Sequence, residues 1–141
     1  PLSVRRCLEN RSIPVYGDGS NSRSWLHVHD HCRALYRVLE GGCPGEIYNI
    51  SAGSEITNLR LVKLIIDILN KPGGKAPDQS MIEFVADRKG HDLRYCISPA
   101  KLERWLGWSP EISFYAGLED TVRWYAENGQ WFFRKAVDAK C

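Results

Sequence analysis

The sequence predicts a mixed α/β fold. Short apolar-aromatic runs closed by turn formers recur at 13–16, 46–50 and 81–86, as strands do. Between them lie segments of helical period, the clearest at 59–70. A composition of 43% apolar and 26% charged residues over 141 positions places the chain in the globular class, with one modest core and one domain expected.

The elements follow in order. Ile13-Pro14-Val15-Tyr16 is an extended run closed by Gly17-Asp18-Gly19-Ser20-Asn21, where backbone can approach a ligand closely. Trp25-Leu26-His27-Val28 resembles a strand end, after which Asp30 is placed to cap a helix reaching 40 and stopped by Gly41-Gly42. Residues 46–50, between Pro44-Gly45 and Ser51-Ala52-Gly53, carry the pattern of a buried strand. Thr57 or Asn58 caps the helix at 59–70, in which Arg60, Lys63 and Asp67 form a narrow polar stripe on an apolar body. Residues 71–80 read as an exposed loop into a strand at 81–86. Ser98-Pro99 opens a helix with Leu102, Trp105 and Leu106 inside, ended by Gly107, and a last helix spans 115–127.

Lys and Arg number 19 against 17 Asp and Glu, a formal charge of +2 that gives no whole-chain field for nucleic acid or an anionic membrane. Any anion site must be local. The apolar stretches fall short of the roughly 20 residues that span a bilayer, so a soluble protein is expected. The cysteines at 7, 32, 43, 96 and 141 are scattered and form no C-x-x-C pair, which argues for reduced cytosolic thiols over a disulfide framework or a zinc site. The chain opens on Pro1 and its only methionine is Met81, which reads as a piece of a longer polypeptide.

No G-x-G-x-x-G joins a strand to a helix, and there is no P-loop or H-E-x-x-H. What stands out is a set of polar residues in turns. Arg23 follows the glycine-rich turn, and Arg88 lies in Asp87-Arg88-Lys89-Gly90-His91-Asp92. A guanidinium suits phosphate because its planar fork donates two parallel hydrogen bonds and keeps its charge at any working pH. Asn58, at a helix start, could add an amide donor beside the positive end of the dipole. Each has a plainer reading: a loop arginine as a solvated charge, Asn58 as a cap, Asp30 as a cap. His27, His29, His31 and His91 lack metal-ligand spacing, and Tyr16, Trp25, Trp105, Trp108 and Trp124 read as core before platform.

Pro14 to Gly19, Arg23 to His31, Gly45 to Ile50, Ala86 to Tyr95 and Leu106 to Pro110 stand, in order, as in a known family. The chain resembles the C-terminal portion of dTDP-glucose 4,6-dehydratases, which are extended short-chain dehydrogenases of the NAD-dependent epimerase/dehydratase group. The Arg-x-Gly-His-Asp-x-x-Tyr stretch from Arg88 to Tyr95 is the most particular of these motifs.

The resemblance implies the C-terminal part of an extended short-chain dehydrogenase: the edge of a Rossmann layer plus a small mixed α/β substrate-binding region over residues 1–141. An N-terminal NAD-binding Rossmann domain would lie outside the chain. The resemblance further implies that Pro14, Val15 and Tyr16 line the pocket for thymine and deoxyribose, partly through backbone groups. Arg23, Asn58 and Arg88 would hold the pyrophosphate with His91 nearby, and Pro1 and Leu2 would end another substrate-contacting segment. A dTDP-sugar would be the partner, with no nucleic acid and no membrane, in a cytoplasmic homodimer. The family moves hydride from C4 of glucose to NAD, eliminates water across C5 and C6, and returns hydride to C6. The residues for that chemistry, a Tyr-x-x-x-Lys pair and an Asp-Glu pair, belong to the other half, so no catalytic residue and no metal are expected here. Lys89 replaces a usual proline and Ser51-Ala52 a usual pair of glycines. Two other readings stay open: a sister nucleotide-sugar epimerase or decarboxylase, and a non-catalytic packing module with an apolar patch on Leu35, Val38 and Tyr48.

Overall fold

The computed structural model describes residues 1–70 and 78–129. Most of the loop expected at 71–80 lies outside the described residues. The first helix, α1 (Leu2–Leu8), was not foreseen; it buries only Val4 and Cys7 and is too short to show a period. It leads into β1 (Ile13–Tyr16), which pairs in parallel with β4 (Ile82–Val85), Tyr16 lying opposite Val85. Their apolar residues meet helices α3 (Asn58–Leu69) and α5 (Phe114–Glu127) in a core built from Val4, Cys7, Ile13, Val15, Val62, Ile65, Ile66 and Val122. Along α3 the expected stripe holds: Arg60, Lys63 and Asp67 are exposed while the neighbouring apolar residues are buried or half-buried. Thr57, not Asn58, is its cap, accepting from the Arg60 N–H at 3.3 Å.

A second cluster packs α2 (Val28–Gly41) on α4 (Ala100–Leu106). Ala34, Leu102 and Trp108 are fully buried there, with Leu26, Val38, Tyr48, Ile50 and Leu106 against them. Gly107, at φ +62, ends α4 as expected. Between the clusters, β2 (Ser22–Ser24) runs antiparallel to β3 (Glu55–Thr57), and a bridge from Ser22 to Arg94 adds a third extended segment.

Five expectations are corrected. Trp25 to Val28 do not end a strand; the strand lies earlier, at 22–24, and Val28 already begins α2. The cap of α2 is His27, whose Nδ1 accepts from the His29 N–H at 3.3 Å. Asp30 is instead inside the protein, and its role is long-range. Residues 46–50 form no strand: Tyr48 and Ile50 pack inward and Ile47 and Asn49 point out, but no strand pairs with them among the described residues. Of the aromatic residues read as core, only Trp108 is buried, while Tyr16, Trp25, Trp105 and Trp124 are all exposed by more than a third. Leu35 is exposed as expected, but Val38 and Tyr48 pack against the second core.

Candidate functional site

Parallel strands present a natural crevice beyond their carboxyl ends, where two turns diverge. Here the turn after β1 is 17–21 and the segment after β4 is 86–92, joined at their root by the Gly17 N–H donating to Val85 O at 2.9 Å. Gly19, at φ +76, brings the first turn against α3: its carbonyl accepts from the Leu59 N–H at 3.0 Å. A Cβ there would stand 2.7 Å from Leu59 Cβ and 2.8 Å from Val15 Cγ1, so the close approach itself requires glycine.

Above these strand ends the side chains converge on His91. Arg23 Nη2 donates to His91 Nε2 at 3.0 Å and Arg88 Nη2 donates to the same nitrogen at 3.3 Å. Arginine has only donors, so Nε2 must present its lone pair and the ring proton sits on Nδ1. That N–H donates to Asp87 Oδ1 at 2.7 Å. The hydrogen bond from His91 is foremost in holding the Asp87 carboxyl below the ordinary carboxylate range. Arg88 lies over the Tyr16 ring at 4.9 Å and Arg23 over the Tyr95 ring at 4.3 Å, so each guanidinium has an aromatic face beneath it. Tyr16 is thus a platform, not core.

Arg23 is held further by carbonyls. Its Nη1 donates to Ser22 O at 2.6 Å and to Leu93 O at 3.4 Å, and its Nη2 to Asp92 O at 2.9 Å. Among the described residues neither Arg23 nor Arg88 forms an ion pair with a carboxylate. Two guanidinium groups therefore meet on one histidine nitrogen, while the Asp87 carboxylate sits on the other nitrogen of the same ring.

The remaining expected residues have unequal claims. Asn58 is the first residue of α3, its N–H donating to Asn21 O at 2.9 Å. The first three N–H groups of α3 are taken by Asn21 O, Gly19 O and Thr57 Oγ1, so that helix end offers an anion its dipole and the Asn58 amide side chain, not backbone donors. Pro14 is half-buried in β1, and Val15 is 3% exposed with its side chain in the core, so only its backbone can face a ligand. Pro1 and Leu2 line a separate apolar cavity of about 320 Å³, shared with Trp25, His27 and Phe114, which includes none of the arginine cluster.

Sequence reading missed Asn21, Asp87 and Tyr95. Asn21 is buried to 2% exposure, its amide donating to Asp92 O at 3.5 Å. Asp87 and His91 stand four residues apart in the same stretch as Arg88, and that spacing was the available signal for the pair. No group of histidine, cysteine and carboxylate residues able to hold a metal exists among the described residues.

The family described as GDP-mannose 4,6 dehydratase matches residues 1–121. The dTDP-glucose 4,6-dehydratase of Neisseria meningitidis serogroup B is 45% identical over 137 residues, covering 94% of this chain and 39% of the relative. That of Escherichia coli is 42% identical over 139 residues, covering 95% and 38%. A dTDP-glucose 4,6-dehydratase structure from Streptomyces venezuelae, solved with NAD bound, superimposes with a TM-score of 0.86 at 49% identity, covering 93% of this chain and 39% of that one. A UDP-glucose 4-epimerase from Thermotoga maritima follows at a TM-score of 0.76 and 27% identity, covering 89% and 38%. The chain thus spans about two-fifths of the length of the curated relatives it matches. It belongs to the GDP-mannose 4,6 dehydratase family, and its fold is the C-terminal part of an extended short-chain dehydrogenase.

Proposed function

We propose that this chain is the nucleotide-binding portion of a dTDP-glucose 4,6-dehydratase, and that the Arg23–His91–Arg88 cluster receives the diphosphate of a dTDP-sugar. The observation that carries this reading is the pair of guanidinium groups on one histidine nitrogen, with no carboxylate to neutralise either among the described residues. A diphosphate supplies two adjacent anionic centres, and each fork can meet one of them with paired hydrogen bonds. Asn58 and the dipole of α3 favour the same negative charge from the side of the first turn. Pro14, Val15 and Tyr16 offer the nucleoside a strand whose second edge has no partner among the described residues, with Tyr16 exposed at its end.

NAD serves the whole enzyme under this proposal, but the residues described here do not fit it. The glycine-rich turn after β1 leads into β2 and not into a helix, so it lacks the strand-turn-helix cradle of a dinucleotide pyrophosphate. The cofactor would be held by the remainder of the polypeptide, together with the groups that move hydride and protons, and the chain alone would be inactive. A cytoplasmic homodimer completes the reading. No helix among the described residues is long and apolar enough to cross a membrane.

Calorimetric titration of dTDP into the chain, and into the full-length polypeptide that carries it, tests the binding role. Saturable heat that Arg23→Ala and Arg88→Ala each weaken is the expected result; no response in either protein ends the proposal. A 4-keto sugar should form from dTDP-glucose with the full-length polypeptide and not with the chain alone. A UDP titration in parallel separates this reading from the epimerase one, because the Thermotoga maritima relative shares the fold at 27% identity.

A further inference from the structure

Arg23 is aimed by its acceptors. Of the four that its two Nη groups use, His91 Nε2, Asp92 O and Leu93 O belong to one segment, and only Ser22 O belongs to its own strand. The direction of the guanidinium therefore depends on where residues 91–93 lie relative to β2. Two backbone hydrogen bonds tie that segment down, from the Ser22 N–H to Leu93 O at 2.8 Å and from the Tyr95 N–H to Ser22 O at 3.3 Å.

A third tie comes from the side chain between them. Arg94 makes a two-pronged contact with Glu55, the first residue of β3, Nε donating to Oε2 at 2.8 Å and Nη2 to Oε1 at 2.7 Å. Glu55 Oε2 also accepts from Ser22 Oγ at 3.1 Å, so one carboxylate joins β2, β3 and the 91–95 segment. Glu55 is mostly covered, at 19% exposure, while Arg94 remains 64% exposed. Whatever the pair adds to stability, its two-pronged geometry fixes the position of this segment against β2 and β3.

We propose that Glu55 and Arg94 are a positioning pair for the diphosphate site, holding residues 91–95 so that Arg23 stays aimed at the ligand while neither touches it. The inference rests on the nucleotide-binding reading above. Supporting it, Arg94 is foremost in drawing the Glu55 carboxyl down to about 2, so the pair stays charged throughout any working pH range.

The test uses the full-length polypeptide with dTDP as titrant and dTDP-glucose as substrate. Arg94→Ala and Glu55→Gln should each weaken dTDP binding and raise KM about tenfold, an effect of the size seen for coupled neighbours. Turnover should stay within about twofold, because the lost interaction bears on binding. Arg94→Lys, which keeps the charge and loses the fork, should fall between wild type and Arg94→Ala. In the Glu55→Gln background, Arg94→Ala should cost little more, since both changes break one tie. Unchanged affinity in the single variants overturns the positioning role, as does a loss of kcat in step with a large fall in melting temperature. Failure of the wild-type protein to bind dTDP overturns the nucleotide reading itself, whatever the variants do.

Discussion

The protein holds two concentrations of charge that its fold treats oppositely. On the α2–α4 side the Asp30 side chain is completely buried, and every partner it has belongs to the chain. The Ile112 N–H donates to Oδ2 at 2.9 Å, the Glu111 N–H reaches both oxygens at 3.2 Å, and Arg33 Nη1 reaches Oδ1 at 2.8 Å. Trp108 Nε1 donates to the Asp30 carbonyl at 3.2 Å, fastening the same turn to the second core. At the strand ends, Arg23 and Arg88 share one neutral histidine nitrogen and have no carboxylate partner among the described residues. A buried charge matched by the chain marks architecture; two guanidinium groups with no direct carboxylate contact are, under the proposal above, the place of a diphosphate.

Removing Asp30 should break the protein most severely. Asp30→Ala leaves the part-buried N–H groups of Glu111 and Ile112 without their acceptor and takes from Arg33 one of its two carboxylate partners, at a cost of about 3–5 kcal/mol, read as a fall in the denaturant midpoint. The acid limb of stability carries its signature. Burial opposes the charge, but the N–H groups of Ile112 and Glu111, with Arg33, outweigh it and leave the folded carboxyl below the ordinary 3.8. Its contribution is therefore complete above that ordinary value and lost as the pH falls through the lower folded one, so an Asp30→Asn protein should unfold with a shallower dependence on acid. An unchanged midpoint in Asp30→Ala would dissolve the contrast between the two regions.

On the other side the backbone is the sensitive part. Gly19→Ala places a methyl group against Leu59 and Val15 while keeping a left-handed φ, and should cost about 2–4 kcal/mol by equilibrium denaturation. Truncating the arginines should cost stability little. Arg23→Ala and Arg88→Ala should each weaken dTDP binding by about 1.5–3 kcal/mol, the range of charge-assisted hydrogen bonds, with a midpoint close to wild type. A stability loss equal to that of Asp30→Ala would instead make the cluster architectural.

The two regions also differed in how far the sequence disclosed them. The helix at 59–70 was legible because three polar positions at helical spacing interrupt an otherwise apolar run, and those three face solvent. Asp30 was misread because a residue near a helix start looks the same whether it caps that helix or reaches Glu111 and Ile112, some eighty residues away. The run at 46–50 keeps the in-out alternation of a strand without being one, since a strand exists only where a neighbour offers a ladder. At the site, turn chemistry made Arg23 and Arg88 candidates, but only the family resemblance raised them above ordinary surface charges. The meeting of Arg23 with His91, and the Glu55–Arg94 clamp behind Arg23, depend on contacts between segments far apart in sequence that no local pattern encodes.

The smallest expected effect sharpens the contrast most finely, at the end of α3. Thr57 Oγ1 accepts from the Arg60 N–H, so Thr57→Ala should cost about 1 kcal/mol of stability, as loss of a cap does elsewhere. It also releases a backbone donor at the helix end beside the arginine cluster. If the diphosphate is held chiefly by the two guanidinium groups, dTDP affinity in this variant should remain within about twofold, since a dipole end contributes at most a fraction of what a charged fork does. A gain or loss of tenfold would shift the weight of anion binding from Arg23 and Arg88 to the helix terminus that Asn58 begins.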